Sequence, residues 1–181
     1  MVAHTGAGVS REKLSGLEDF REILPWLPPG MRSILDIGCG PAWVDVFIGN
    51  HFGLDTINLM DGEAYGVKRN GYHPAGEPWW TAEPGAQRAR EKTKAHIVVH
   101  KPDPGLTIPV DAVISLKSWC HHYPVEHYLP LVQRSLGPGG HLIVDVRSNT
   151  RGLEVLNDSG FRTVWTGGRS PKCQRAALVR L

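Results

Sequence analysis

The most constraining feature of the sequence is a short apolar run that ends in glycines and leads into a helix-like segment. Residues 33–40 read SILDIGCG, and residues 43–53 read WVDVFIGNHFG. The first pattern predicts a buried strand with a sharp turn, and the second predicts a helix that ends at Gly49 or Gly53. Glycines at such a strand end allow the backbone to turn tightly and a ligand to approach the main chain. The sequence therefore predicts a strand–turn–helix unit suited to holding a ligand.

Strand-like and helix-like segments continue to alternate along the chain. Strands that alternate with helices favour a doubly wound parallel sheet, whereas two final strands with no helix between them should pair antiparallel. A turn at GPGG, 137–140, is expected before the fifth strand, and Pro130 interrupts the fourth helical pattern. The predicted strands are 33–40 (with its turn), 56–61, 95–100, 111–118, 141–147, 161–167 and 175–181, and the predicted helices are 10–26, 43–53, 82–94, 124–136 and 151–160.

Length and composition indicate one globular domain. Of the 181 residues, 41% are hydrophobic and 21% are charged, as in ordinary globular proteins. The 21 glycines and 14 prolines exceed their usual share and predict many tight turns. We predict a single domain over 1–181, with an N-terminal helical segment at 1–30 and a loop insertion at 62–80.

Hydropathy and cysteine content limit the expected cellular context. The longest apolar runs are under ten residues, whereas a membrane helix needs roughly 20. The first residues also lack the apolar run of a signal peptide. Cys39, Cys120 and Cys173 are odd in number and widely spaced, which favours neither a disulfide framework nor a zinc knuckle. We therefore expect a cytoplasmic protein with no membrane partner.

Charge is distributed unevenly along the chain. The net charge of +2 does not by itself indicate a polyanionic partner. Residues 151–181, however, hold six arginines and lysines against two acids. A solvated basic face is the ordinary interpretation of such a run, and a surface for RNA or single-stranded nucleic acid is the alternative.

Asp61 strengthens the interpretation of the glycine turn as a ligand site. It ends the second predicted strand, 23 positions after Gly38, where a carboxylate can accept hydrogen bonds from a ribose diol. The segments LDIGCGPA, NLMD, DAVIS and LGPGGHLIVD then follow in order. This ordered set resembles the class I S-adenosylmethionine-dependent methyltransferases over residues 33–181. The segment 116–124, LKSWCHHYP, is similar to one in small bacterial and phage members of that family.

The resemblance implies an α/β fold and a cofactor. The expected architecture is a Rossmann-like seven-stranded sheet with helices on both faces, strand order 3-2-1-4-5-7-6 and the last strand antiparallel. The implied cofactor is S-adenosyl-L-methionine, with Asp36, Gly38 and Gly40 under its methionine part and Asp61 at its ribose. Ala42 replaces the family's usual third glycine, and the adenine contacts stay unassigned. The predicted cofactor site also includes Cys39, Gly62, Lys117 and Ser118.

Two adjacent histidines are candidate catalytic residues. His121 and His122 follow the fourth predicted strand, at the edge of the implied catalytic pocket. Because a sulfonium methyl group is already activated, transfer needs alignment and removal of the acceptor's proton, which a histidine can accept near neutral pH. The alternatives are that they bind cofactor or substrate, or that they pack. With Cys120 and His127 they match no zinc framework, so we predict no metal site.

Four aromatic residues are candidates for acceptor binding. Tyr72, Trp79 and Trp80 lie in the 62–80 insertion, and Trp119 directly precedes Cys120. Aromatic rings in a loop rich in glycine and proline can form a stacking wall for a sugar or a base. Packing against the edge of the core is the alternative interpretation.

Together these residues favour methyl transfer to a small-molecule acceptor, such as the hydroxyl or amine of a sugar or another metabolite. The chain has neither an Asn/Asp-Pro-Pro-Tyr box nor a Pro-Cys nucleophile, so a duplex base is a disfavoured acceptor. Two alternatives stay open: an RNA or single-stranded nucleic acid acceptor, and a non-catalytic cofactor-binding partner subunit. Specificity would come from the insertion, the N-terminal helix or a second subunit, as in a homodimer.

Overall fold

The computed structural model describes residues 10–62, 72 and 80–181, so Trp79 and most of the 62–80 insertion lie outside the described residues. The strands are β1 (Ser33–Ile37), β2 (Thr56–Met60), β3 (His96–His100), β4 (Val110–Ser115), β5 (Ser118–Tyr123), β6 (Leu136–Arg147), β7 (Phe161–Ser170) and β8 (Cys173–Arg180). The helices are α1 (Arg11–Ile23), α2 (Trp43–Phe52), α3 (Glu83–Lys92), α4 (Leu129–Ser135) and α5 (Gly152–Asp158), with short 3-10 turns at Leu24–Trp26 and Val125–His127.

Seven of these strands form one mixed sheet in the order β3-β2-β1-β4-β6-β8-β7. The first five strands in that order are parallel to one another, and β8 is antiparallel to both β6 and β7. When only the strands of the sheet are counted, this is the predicted order 3-2-1-4-5-7-6 with its antiparallel last strand. The predicted fold class is therefore confirmed.

Helices cover both faces of the sheet, as predicted. Side chains alternate between the faces of a strand, so Ile34 of β1 packs with α1, α2 and α3, whereas Leu35 and Ile37 pack with α4 and α5. Each face thus buries its own apolar cluster. None of the helices in the described residues combines the length and the apolar character needed to cross a membrane.

Local signals set several helix ends. Ser10 caps α1 by accepting a hydrogen bond from the backbone N–H of Lys13 at 3.3 Å. Gly53 ends α2 in the left-handed conformation, with φ of 64°, and Gly160 follows α5 with φ of 90°. Glycine adopts this conformation without a Cβ penalty, which is why it follows helix ends so often.

Two expected elements are corrected. The expected helix 124–136 is a 3-10 turn followed by α4, and Pro130 lies in the first turn of α4 rather than interrupting a helix, because a first-turn proline loses no intrahelical hydrogen bond. The expected turn at 137–140 is a bulge inside β6. Leu136 pairs with Val110 and His141 pairs with Ala112, so four residues of β6 stand opposite one residue of β4.

One strand was not expected. Residues 118–123, assigned from the sequence only to the pocket edge, form β5, which lies outside the order of the seven-stranded sheet and packs along β6. It follows β4 after two residues, so it begins at the carboxyl end of that strand. The carboxyl ends of β1, β2 and β4 therefore share one edge of the sheet with β5.

Candidate active site

A cavity of about 650 Å³ opens at that edge of the sheet. It is lined by the turn after β1 and the start of α2, by Asp61 and Trp80, by part of the segment from Leu116 to Tyr123, and by one face of α1 between Arg11 and Asp19. The volume lies within the range of about 300–1,000 Å³ that is typical of small-molecule sites. The N-terminal helix was expected as one possible source of specificity, but none of its residues was predicted to line the site, because their apolar spacing indicates only a helix that packs.

The glycine turn after β1 lies under the cavity. The backbone N–H groups of Gly38 and Cys39 donate to the carbonyl of Met60 at 2.7 and 3.3 Å, which ties the turn to β2. Gly38 has φ of 82°, and a Cβ at this position would lie 1.8 Å from Oγ of Ser118. Gly40, with φ of 47°, has no atom within 4 Å of such a Cβ. The backbone is thus closely covered at Gly38 and open at Gly40.

Asp61 joins the turn from the end of β2. Its Oδ2 accepts the backbone N–H of Gly40 at 2.9 Å, and its Oδ1 accepts that of Gly62 at 2.8 Å. Burial raises the pKa of Asp61, and the two hydrogen bonds oppose that rise. Each oxygen retains a further lone pair for a ligand. Gly62 does not itself line the cavity formed by the described residues, and acts on it through Asp61.

A buried ion cluster joins α1 to the sheet beside the cavity. Nζ of Lys117 donates to Asp19 at 2.9 Å and to Ser15 at 3.3 Å, while the backbone N–H of Lys117 donates to Asp145 at 3.0 Å. Arg175, with no exposed side-chain surface, binds both oxygens of Asp145 at 2.6 and 2.8 Å. It also pairs with Asp19 at 3.1 Å. The cluster holds Lys117 and α1 in place at the rim.

This cluster corrects the expectation of a continuous basic face over 151–181. Arg175 is buried because β8 passes through the interior of the sheet. Arg151 is exposed but forms an ion pair with Glu154 at 2.6 Å. The cationic surface that remains is smaller than the sequence count implies.

The two histidines have different surroundings. His122 lines the cavity, whereas His121 lies behind it, with the two ring centroids 4.6 Å apart. Burial lowers the pKa of His121, and the neighbouring His122 and Arg147 lower it further. These surroundings favour the neutral form of the His121 imidazole. Tyr123, which was not predicted, also lines the cavity, and burial raises its pKa to about 12.

Comparisons with known proteins identify the architecture. No protein-family model and no curated protein matches the chain. Among solved structures, an S-adenosylmethionine-dependent methyltransferase from Mesorhizobium loti is 16% identical, with a TM-score of 0.64, covering 92% of this chain and all of that one. Geranyl diphosphate C-methyltransferase from Streptomyces coelicolor, solved with S-adenosyl-L-homocysteine, is 11% identical with a TM-score of 0.67 over 98% of this chain and 88% of that one. Magnesium protoporphyrin IX methyltransferase from Synechocystis, also solved with bound S-adenosyl-L-homocysteine, is 19% identical with a TM-score of 0.60. The match covers 94% of this chain and 84% of that one.

The chain has the class I S-adenosylmethionine-dependent methyltransferase fold. The resemblance drawn from the sequence motifs is confirmed at the level of the fold. In this methyltransferase fold, the predicted cofactor residues Asp36, Gly38, Cys39, Gly40, Asp61, Lys117 and Ser118 all line one cavity.

Asp36 is the buried acid of the methyltransferase fold's glycine turn. Its Oδ1 is buried without a hydrogen-bond partner among the described residues, although the side chain borders the cavity. Burial raises its pKa well above the usual range, and the neighbouring Asp45 of α2 adds to that rise. Burial also raises the pKa of Asp45 to about 7. Asp45 was not predicted as a site residue, although an acid inside an apolar helix was a usable signal.

The predicted acceptor-binding aromatic residues are separated by the structure. Trp80 lines the cavity. Tyr72 is 39% exposed and lies outside the cavity lining. Trp119 has no exposed surface: its ring lies in the core, and its Nε1 donates to the carbonyl of Val125 at 2.9 Å. The expectation that Trp119 binds the acceptor is therefore corrected.

Candidate metal ligands are also scattered. The described residues contain no group of three or more His, Cys, Asp or Glu side chains arranged to hold a metal ion. Cys120, which sequence analysis considered with the histidines, is buried, and burial raises the pKa of its thiol well above the usual range.

Proposed function

We propose that this protein transfers a methyl group from S-adenosyl-L-methionine to a small-molecule acceptor. The hydrogen bond from Gly40 to Asp61 carries the proposal, because it joins the open part of the glycine turn to a carboxylate at the same cavity. A ribose diol can donate to the remaining lone pairs of Asp61. The carboxyl group of Asp36 borders the same cavity, where it can accept a hydrogen bond from a cationic or N–H group of the ligand.

The charges of the cavity support this cofactor. Two cationic residues, Arg11 and Lys117, line it, against four acidic residues: Glu12, Asp19, Asp36 and Asp61. S-adenosylmethionine carries a sulfonium and an ammonium against one carboxylate, so its net positive charge complements the acidic surplus. Arg11 at the start of α1 is available to that carboxylate.

The chain's own residues would align the acceptor and accept its proton. When bound, S-adenosylmethionine supplies an activated methyl group on a sulfonium. Ser118, packed over Gly38, and His122 border the open side of the glycine turn. A neutral His122 can accept the proton of an acceptor hydroxyl or amine as the new bond forms. Because the start of α1 is tied to Lys117, it limits water access and fixes the acceptor's entrance.

A small acceptor is favoured over a nucleic acid. The cavity is walled by α1, and the basic residues near the C-terminus are partly internal, as Arg175 shows. A single domain is consistent with the sheet reaching from Ser33 to Arg180. Cys39, Cys120 and Cys173 are buried thiols that form no disulfide, a state which a cytoplasmic compartment would maintain. We retain the single domain and the cytoplasmic location as parts of the proposal.

Calorimetry with S-adenosylmethionine and S-adenosylhomocysteine tests the cofactor. Gly38→Ala should weaken both at least about tenfold, because the new methyl group collides with Ser118 and shifts the turn. Gly160→Ala is the matched control: it also strains a glycine of positive φ, but it lies after α5 and has open space around its Cβ. Absence of binding to the wild-type protein would refute the proposed cofactor.

Turnover on an acceptor panel tests the activity separately. His122→Gln should lower kcat and leave cofactor affinity unchanged if His122 accepts the proton. Wild-type kcat in this variant would exclude that role. Cofactor binding without methylation of any small molecule or RNA would favour a non-catalytic partner subunit, and methylation of RNA alone would favour the nucleic acid alternative.

A further inference from the structure

Arg147 lies at the same edge of the sheet as the cavity but outside its lining. It is the last residue of β6, whose carboxyl end lies beside that of β4. Its backbone pairs with Cys173 of β8, and its carbonyl accepts both the N–H and the hydroxyl of Thr150 at 3.2 and 2.8 Å. The backbone that carries this half-buried side chain is therefore held on both sides.

The guanidinium of Arg147 is oriented by two contacts. Its Nε donates to the backbone carbonyl of His121 at 2.9 Å. Its Cζ lies 5.6 Å from the ring centroid of Tyr72, close enough for a cation–π contact. These contacts use one N–H and one face of the guanidinium. The two terminal nitrogens, whose planar N–H groups match a carboxylate or a phosphate, donate no hydrogen bond to the described residues.

No carboxylate in the described part of the chain neutralises Arg147 through an ion pair. Two acids lie within electrostatic range of its neighbours. Asp145 affects His121 but is bound by Arg175, and Glu126 affects Tyr72 from an exposed position. An arginine that is half-buried, oriented and unmatched by a carboxylate of the described residues is a suitable site for an external anion.

We propose that Arg147, with Tyr72 stacked against it, binds an oxyanion carried by the methyl acceptor, either a carboxylate or a phosphate. The proposal rests on the proposed methyl transfer. The connection to the cavity runs through the histidines, because Arg147 holds His121 and the His121 ring lies 4.6 Å from that of His122, which lines the cavity. An acceptor whose reactive group lies at His122 would extend past the ring of His121 towards Arg147. The subsite would therefore select acidic acceptors over their neutral analogues.

Binding of benzoate and of benzamide to the full chain tests this subsite. The two probes share a ring and differ in charge, and calorimetry at low salt measures both, with and without S-adenosylhomocysteine. We expect benzoate to bind at least about tenfold more tightly than benzamide. Arg147→Gln should remove the preference, and Arg147→Lys should retain only part of it, because lysine lacks the planar fork. Arg162→Gln, an exposed arginine on β7, is the matched control and should retain the full preference.

The outcomes separate the subsite from the cofactor site. Equal binding of benzoate and benzamide, or unchanged benzoate affinity in a folded Arg147→Gln protein, overturns the subsite even if S-adenosylhomocysteine binds. If Arg147→Gln does not fold, full benzoate affinity in Arg147→Lys overturns it instead. Displacement of benzoate by inorganic phosphate supports a phosphorylated acceptor, and resistance to displacement supports a carboxylate. A benzoate preference without S-adenosylhomocysteine binding retains the anion site and refutes the proposed cofactor.

Discussion

Two arginines of this chain bind a carboxylate with nearly the same geometry but with opposite exposure. Arg151 donates to Glu154 through Nε at 2.8 Å and Nη2 at 2.6 Å, and the two side chains are 74% and 55% exposed. Arg175 donates to Asp145 through Nε at 2.6 Å and Nη2 at 2.8 Å, and both side chains are fully buried. Replacing each arginine by methionine therefore compares an arginine–carboxylate pair at the surface with one in the interior.

The expected effects differ because only one substitution strands a charge. Arg151→Met should leave stability nearly unchanged, since exposed ion pairs are solvated and screened. Arg175→Met leaves the carboxylate of Asp145 buried without its partner, which costs about 3–5 kcal/mol. A chain of this size loses roughly 2–4 °C of melting temperature per kcal/mol. The expected decrease in melting temperature is therefore roughly 6–20 °C.

Urea unfolding and thermal melts of both variants measure the difference. The double variant Asp145→Asn/Arg175→Met should recover part of the loss, because the stranded charge is gone, and the double-mutant cycle gives the coupling between the two residues. If Arg175→Met is as stable as Arg151→Met, the pair is not buried in solution, and the link between α1 and the sheet is wrong.

Three further variants test other parts of the structure. Asp45→Asn should raise the melting temperature near pH 8 and have no such effect near pH 4. Burial raises the pKa of Asp45 from 3.8 to about 7 in the folded state, so the wild-type protein loses stability as the pH rises from about 4 to about 7. Trp119→Phe should cost about 1–3 kcal/mol in urea unfolding, because the carbonyl of Val125 loses its donor, without weakening S-adenosylhomocysteine binding in calorimetry. Gly53→Ala, at φ of 64°, should cost about 1–2 kcal/mol and leave the same binding unchanged.

The elements predicted correctly depend on short-range signals. The strand at Ser33–Ile37, its glycine turn and the helix ended by Gly53 lie within some twenty residues, and each boundary has its own chemical marker. The meeting of Gly40 and Asp61 could also be anticipated, since carboxyl ends of adjacent parallel strands share one edge. The strand order was predicted from the resemblance to the methyltransferase family, because hydrophobic periodicity locates strands in the sequence but does not show which strands are neighbours in the sheet.

The ion cluster could not be predicted because its members are distant in sequence. Asp19 and Arg175 are separated by 156 positions, and nothing local distinguishes Arg175 from a solvated arginine. Arg175 was therefore counted with the basic residues of the predicted solvated face. The individual α1 residues of the cavity could not be predicted for the same reason, since Ser15 and Asp19 contact Lys117, which lies about 100 positions away in the sequence.

Backbone conformation explains why the segment around Trp119 was misassigned. Lys117 and Cys120 have φ of 59° and 65°, in the left-handed region where L-residues are strained by roughly 1–2 kcal/mol each. The two changes of direction place Trp119 in the core, while Ser118 and His122 face the cavity. A sequence without glycine at these positions gives no signal for such turns. Since strained non-glycine residues persist where function requires their geometry, the strain at Lys117 and Cys120 supports the cavity edge, and not the aromatic ring of Trp119, as the functional part of this segment.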